Sequence, residues 1–347
     1  MRVLWVLGVH KSEHGPTADR SIVADSPIAS ERLRIAVPAA GLACLGIASE
    51  FCALRPGVPT PEPGAYDAVV FGKFSSPPVD DAGRVQWWWK FAQRALGAGC
   101  RVVVDVCDNP FASANPRARL YERLLASCGA VSVASTWLVR AVAAHCRSAP
   151  RVITDPYEGR RARARFAPFD PLRLLWFGHP VNLRYLQALV PSLADVAYER
   201  ALALEVVTGD VQGIEAGLEQ LSRQLAPRFA ARYTPWSLEA VSQALESCDL
   251  VIVPSDPADP KKAGASPNRL IESLVAGRLP VASPLEGYLP YAQFAVLDDD
   301  LVAGLRRACG APVEMIARIE AGQNAVVERH APTVIARQWL ELLAPRG

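Results

Sequence analysis

The sequence predicts an α/β protein of two consecutive domains, each a parallel sheet flanked by helices. Three observations carry that expectation. Short β-branched runs alternate with helix-period segments along the whole chain, the pattern of parallel α/β layers. The alternation restarts near residue 172, after a stretch rich in arginine. The length, 347 residues, also exceeds the roughly 250–300 residues at which single cores stop growing. In the first half, strands are expected at 3–9, 47–54, 68–72, 101–106, 130–134 and 152–154, and helices at 38–45, 81–97, 115–127 and 136–146. The second cycle places strands at 172–177, 202–208, 229–233, 250–253 and 279–282, and helices at 183–194, 213–225, 237–247 and 266–276. Two further helices follow, at 312–330 and 333–343. Two Rossmann-like domains in tandem is the simplest account. Residues 1–158 make the first, 159–170 a basic linker (Arg160, Arg161, Arg163, Arg165), 171–331 the second, and 332–347 a terminal helix.

Half of the residues are hydrophobic, ample for two cores, and the net charge of +2 implies no nucleic-acid partner. The eight cysteines are scattered singly, without zinc or redox spacing. They are expected as reduced thiols acting as small hydrophobes. The opening MRVLWVLGVH suits a first strand better than a signal peptide. The longest apolar stretch, 36–48, holds a proline and two glycines and is too short to span a bilayer. A soluble, cytoplasmic protein is expected.

The most informative segment is 249–283. The run Leu250 to Val253 reads as a buried parallel strand, and a loop rich in proline and lysine follows. Ser266-Pro267 then starts a helix as hydroxyl N-cap and first-turn proline. Leu270, Ile271, Leu274 and Val275 form its apolar stripe, Gly277 ends it, and another strand begins at Leu279. Lysine occurs only at 11, 73, 90, 261 and 262, so two of the five flank this helix, with Arg269 on it. A helix N-terminus beside cations binds phosphate. Glu272, set back along the helix, is placed to accept hydrogen bonds from sugar hydroxyls. The pattern describes a pocket for a nucleoside diphosphate.

Glu272 and the following Gly277-Arg278-Leu279-Pro280-Val281 resemble the donor-site signature of retaining GT-B glycosyltransferases of family 4 (group 1), related to sucrose and glycogen synthases and bacterial mannosyltransferases. That signature usually has two glutamates eight positions apart; Glu272 matches the second, and Gly264 stands where the first belongs. Ser266-Pro267-Asn268-Arg269 looks like the variant with a basic residue three before the retained glutamate. Leu174 to His179, with Asn182, is similar to the family's first donor-domain strand and glycine turn. Residues 121–139 resemble the end of its acceptor domain, and Ile153 to Pro156 the place where the chain crosses between domains. The resemblance implies a GT-B fold with two Rossmann-like α/β/α domains facing a central cleft, and a terminal helix returning to the first domain.

Donor-binding candidates are Gly178, Asn182, Ser255, Lys261, Lys262, Ser266, Asn268, Arg269 and Glu272, since ligands meet parallel sheets at the strands' carboxyl ends. His179 is a catalytic candidate as a cation or donor, or else a solvated turn residue. Asp108, after the strand VVVDVCD, either orients and deprotonates an acceptor hydroxyl or caps a turn. Lys73 follows the strand at 68–72, and the long loop from His10 to Ser30 holds Lys11 and His14. With Arg32 (and Arg34 beside it) these are acceptor or phosphate candidates. Trp87-Trp88-Trp89 cannot all face one core on a helix, so Trp88 and Trp89 are expected to pack and Trp87 to be partly exposed. The expected activity moves a sugar from a nucleoside-diphosphate sugar, the co-substrate, to a saccharide, lipid-linked or small-molecule acceptor. Retention of configuration is implied by the resemblance. No metal and no resident cofactor are expected, because protein cations would stabilise the leaving diphosphate. A nucleotide-sugar 2-epimerase and a degraded binding or scaffold protein stay open as alternatives, as do peripheral membrane contact and the oligomeric state. A dinucleotide dehydrogenase fits less well, since GVHKSEHG and not Gly-x-Gly-x-x-Gly follows the first strand.

Overall fold

The computed structural model describes residues 1–8, 17–54, 59–74, 81–225, 227–260 and 262–344. Lys11, His14 and Lys261 lie outside the described residues. The chain forms two compact units. The first comprises Met1–Pro156, Gly264–Ser266 and His330–Gly347, and the second Tyr157–Ala263 and Pro267–Arg329.

The first unit runs β1 (Arg2–Leu7), α1 (Ser21–Ala24), α2 (Ala29–Glu31), α3 (Val37–Cys44), β2 (Ala48–Ala53), β3 (Ala68–Phe71), α4 (Asp81–Gly97), β4 (Arg101–Val106), α5 (Pro116–Ser127), β5 (Ala130–Val133), α6 (Thr136–Val142) and β6 (Arg151–Val152). Its strands pair in parallel in the order β2-β1-β3-β4-β5-β6. Apolar layers cover both faces, one around Phe71, Trp88 and Leu124, the other around Trp5, Ile35 and Leu42. That double burial is why the strands read as continuous apolar runs. Of the three tryptophans on α4 only Trp88 is fully buried, edge-on to Phe74 at 4.9 Å. Trp87 and Trp89 both stay half-buried, so the expected contrast between them is absent. Before α3 the helix is wider for five residues, Arg32–Ala36, and Arg34 is buried there.

The second unit runs β7 (Leu172–Phe177), α7 (Leu183–Glu199), β8 (Leu202–Thr208), α8 (Ile214–Leu225), β9 (Phe229–Pro235), α9 (Leu238–Ser247), β10 (Leu250–Val253), α10 (Asn268–Val275), β11 (Leu279–Ala282), β12 (Val296–Leu297), α11 (Leu301–Gly310) and α12 (Pro312–His330), the last residue of α12 counting with the first unit. Its parallel order is β12-β11-β10-β7-β8-β9. Residues 159–170, expected as a linker, belong to this unit. Ala162 donates to the Val275 carbonyl (3.1 Å), Arg165 to that of Gly277 (3.1 Å), and Phe166 is buried in the core. Arg161 reaches Asn324 Oδ1 (2.8 Å) and Arg165 the Glu246 carbonyl, so these two arginines bind the unit's own surface. Sequence patterning missed α11, although Asp300 caps it by accepting from Val302 and Ala303.

The last helix, α13 (Pro332–Leu343), packs in the first unit, where Trp339 meets Trp5 at 5.1 Å. Among the described residues no helix is long and apolar enough to cross a membrane. None of the cysteines is in a disulfide: Cys52, Cys100, Cys128 and Cys248 are buried and Cys44 is exposed.

Candidate functional site

In the second unit β8 and β9 extend to one side of β7, and β10 returns to pair on its other side. The loops after β7 and β10 therefore diverge, and the gap at such a reversal of strand order is where open α/β sheets bind ligands. The start of α10 (Asn268–Val275) supplies one wall of this gap, and the turn from Gly178 to Asn182 supplies the other.

Helix α10 begins at Asn268. Its cap is Pro267, with no side-chain hydrogen bond to the first turn. The predicted hydroxyl cap is thus corrected: Ser266 Oγ donates to Asp155 Oδ2 within the first unit. A proline ahead of the helix removes one amide and leaves the first-turn N–H groups without side-chain acceptors, a ready anion site. Gly277 closes the helix at φ +70°, the left-handed conformation that favours glycine.

Arg269 lies in the first turn of α10. Its Nη1 is buried and has no hydrogen-bond partner. It lies 3.7 Å from the point a Cβ on Gly178 would occupy. A side chain at 178 would therefore stand directly against the guanidinium, and glycine keeps that space open. Burying an unsatisfied charged donor costs at least about 1–3 kcal/mol, so an orphan of this kind marks a missing partner. The Gly178 backbone is itself fixed, its N–H bonded to the Val207 carbonyl (3.1 Å) and its carbonyl accepting from Thr208 Oγ1 (2.8 Å).

The neighbouring candidates have definite partners. Lys262 Nζ donates to Asn182 Oδ1 (2.6 Å) and stands 5.9 Å from the Tyr185 ring centre. Asn182 thus holds a lysine and does not cap α7 with its side chain. His179 is exposed, and its Nδ1 accepts from Val181 N–H (3.2 Å). The Ser255 amide donates to Ser283 Oγ (3.0 Å). The Glu272 carboxylate accepts from the backbone amides of Glu158 (2.7 Å) and Gly159 (3.0 Å), tying residues 158–159 to α10. Sequence reasoning gave this residue a sugar and overlooked these amides. It also overlooked Arg184, Tyr185 and Asp259, for which the only signal was polar residues close to the two loops.

Position 264 explains itself locally. A Cβ there would come within 2.6 Å of the Trp137 ring, and the Gly264 carbonyl accepts from Ser135 Oγ (3.3 Å). No glutamate can be seated at that point without displacing Trp137.

Among the described candidates of the first unit, two pair with each other. Lys73 forms an ion pair with Asp108, which is 52% exposed. Burial pulls the Lys73 ammonium down, but Asp108 and neighbouring groups outweigh it and hold the pKa above its usual value. Arg32 is buried and donates to the Ser26 carbonyl. Arg34 is a structural residue: Nη2 and Nε grip Asp105 (2.6 and 3.0 Å), and Nη1 reaches Asp155 (3.1 Å). Ser132 Oγ completes the shell of Asp105 at 2.6 Å.

No protein-family model and no curated protein matches the chain by sequence. Solved structures do match by shape. The chain is similar to HepE of Anabaena in complex with UDP, at 14% identity, with 99% of each chain covered and a TM-score of 0.70. It is similar to sucrose-phosphate synthase from Thermosynechococcus elongatus at 12% identity, with 98% of each chain covered and a TM-score of 0.69. A third likeness is to AviGT4, a glycosyltransferase of avilamycin A biosynthesis, at 18% identity, covering 99% of this chain and 96% of that one, with a TM-score of 0.57.

Proposed function

We propose that this chain, whose two-domain GT-B fold is supported by full-length likeness to the HepE and sucrose-phosphate synthase structures, is a glycosyltransferase that takes a sugar from a nucleoside-diphosphate sugar and delivers it to an acceptor hydroxyl. The observation that carries this reading is the unpartnered Nη1 of Arg269, buried beside Gly178 where the order of the second sheet reverses. A diphosphate oxygen supplies the acceptor that this nitrogen lacks. That HepE was solved with UDP supports the ligand class.

The chemistry follows from charge. Breaking the anomeric C–O bond leaves negative charge on the departing diphosphate. Arg269, Lys262 and the first-turn amides of α10 form a preorganised positive field for that charge. In this reading the protein's own cations do the work that a metal would otherwise do. A carboxylate oxygen accepts from more than one donor, so ribose hydroxyls can join the two amides at Glu272. Transfer with retention, which the signature around Glu272 implies, is part of the same proposal.

The experiment is a titration of UDP, GDP and ADP, with and without sugar, followed by calorimetry and thermal shift. Wild type is expected to bind one of the three, and Arg269→Ala to bind it at least about tenfold more weakly, one charge-assisted hydrogen bond being worth roughly 1.5–3 kcal/mol. Equal affinity of wild type and Arg269→Ala would remove the basis of the proposal.

A further inference from the structure

Four side chains outside the signature join the two loops of this gap. Arg184 and Tyr185 lie in the first turn of α7, while Asp259 and Lys262 lie on the loop after β10. The Tyr185 hydroxyl donates to Asp259 Oδ2 (2.7 Å) and accepts from Arg184 Nη2 (2.6 Å). Arg184 Nη2 also reaches Asp259 Oδ2 at 2.7 Å. Asp259 in turn shapes its own loop, its carbonyl accepting the Lys262 amide at 2.7 Å. The Tyr185 ring lies under the Lys262 ammonium, which Asn182 holds from the other loop.

We infer that Tyr185 is a positioning residue: through Asp259 it pins the loop after β10 against the start of α7, and so sets Lys262 beside Asn182 to meet the ligand's diphosphate. The inference rests on the reading of the site given above. Tyr185 does not touch the ligand in this scheme. Its hydroxyl fixes where the loop runs, and its ring supplies a face on which a cation is stabilised. Asp259 and Lys262 thereby acquire a fixed register against the turn that carries Gly178. A long lysine alone would lose rotamer freedom on binding; holding it in advance removes that cost. The arrangement is local to the second unit and needs no movement of it.

The test compares wild type, Tyr185→Phe, Lys262→Ala and the double variant, titrated with UDP, GDP or ADP (whichever wild type binds) and with the corresponding nucleoside monophosphate. Tyr185→Phe is expected to weaken diphosphate binding about five- to tenfold and to leave monophosphate binding nearly unchanged. Its effect should vanish in the Lys262→Ala background, because residues acting through one contact are not additive. A purely structural tyrosine would weaken both ligands alike and add to Lys262→Ala; that result, or unchanged diphosphate affinity, overturns the inference. If Tyr185→Phe proves unstable, Asp259→Asn gives the same readout from the other end of the bond. Failure of wild type to bind any nucleoside diphosphate would instead strike the functional proposal itself, so the two outcomes are distinguishable.

Discussion

The two sheets reverse strand order in the same way, between β1 and β3 in the first unit and between β7 and β10 in the second, yet the two gaps are furnished differently. In the first, backbone fills the space: a Cβ on Gly8 would come within 1.6 Å of the Lys73 carbonyl oxygen, and Arg84 Nη2 donates to the Gly8 carbonyl (3.2 Å). The charges nearby are already matched, Arg34 to Asp105 and Asp155, and Lys73 to Asp108. In the second, a Cβ on Gly178 would meet only ordinary contacts, and Arg269 Nη1 has no protein acceptor. The difference teaches how to tell a structural charge from a binding charge inside one fold. A buried cation with its carboxylates is finished; a buried guanidinium nitrogen without an acceptor, set at a reversal of strand order, is what the proposed function assigns to a ligand.

The largest test of that contrast is Arg34→Ala. It leaves Asp105 and Asp155 buried without their cation and is expected to destabilise the first unit by about 3–5 kcal/mol. Arg269→Ala, which removes an unsatisfied buried donor, should cost no stability and is expected to raise it by up to about 1–3 kcal/mol. Urea denaturation of both variants reads the pair, and similar losses for the two would erase the distinction.

Glu272→Gln probes the second gap more gently. The amide keeps one acceptor oxygen for two backbone N–H groups, so about 1–2 kcal/mol of stability should go. Nucleoside diphosphate affinity should fall several-fold if ribose shares the carboxylate. Loss of stability with intact affinity would confine Glu272 to holding residues 158–159.

The smallest expected effect separates the units by pH. Burial pushes the Cys52 and Cys128 thiols up to about 12 and Cys146 to about 11, all in the first unit. In the second unit the same cause takes Cys248 to about 12. Unfolded thiols ionise near their ordinary value of about 8.5. Between that value and the folded one, the unfolded state binds fewer protons, so stability is complete below it and falls as pH rises. Calorimetric scans from neutral to alkaline pH should show the first unit's transition moving down faster than the second's. An equal shift of both would contradict the thiol account.

Much of the fold was legible because parallel strands buried on both faces have a plain signature. The runs at 101–106, 172–177, 202–208, 250–253 and 279–282 are strands with those bounds, and 81–97 is a helix with those bounds. Short elements such as α1 and β12 lacked enough residues to show a period. The helix at 266–276 was legible, but its cap was not: Ser266 obeys a local rule, and a carboxylate more than a hundred residues away outbids it. The same limit applies to Arg34 and Arg269, two arginines on helices with similar local surroundings in sequence.

Alternation of apolar runs, the helix after Val253 and the glycines at 178 and 277 were properties of the chain alone, since period, capping and backbone freedom act over a few residues. Which arginine is neutralised, which glutamate binds backbone amides, and which tyrosine holds a lysine were settled only by the tertiary structure. Charge is compensated through space, over a few ångströms, by partners whose distance along the chain carries no information.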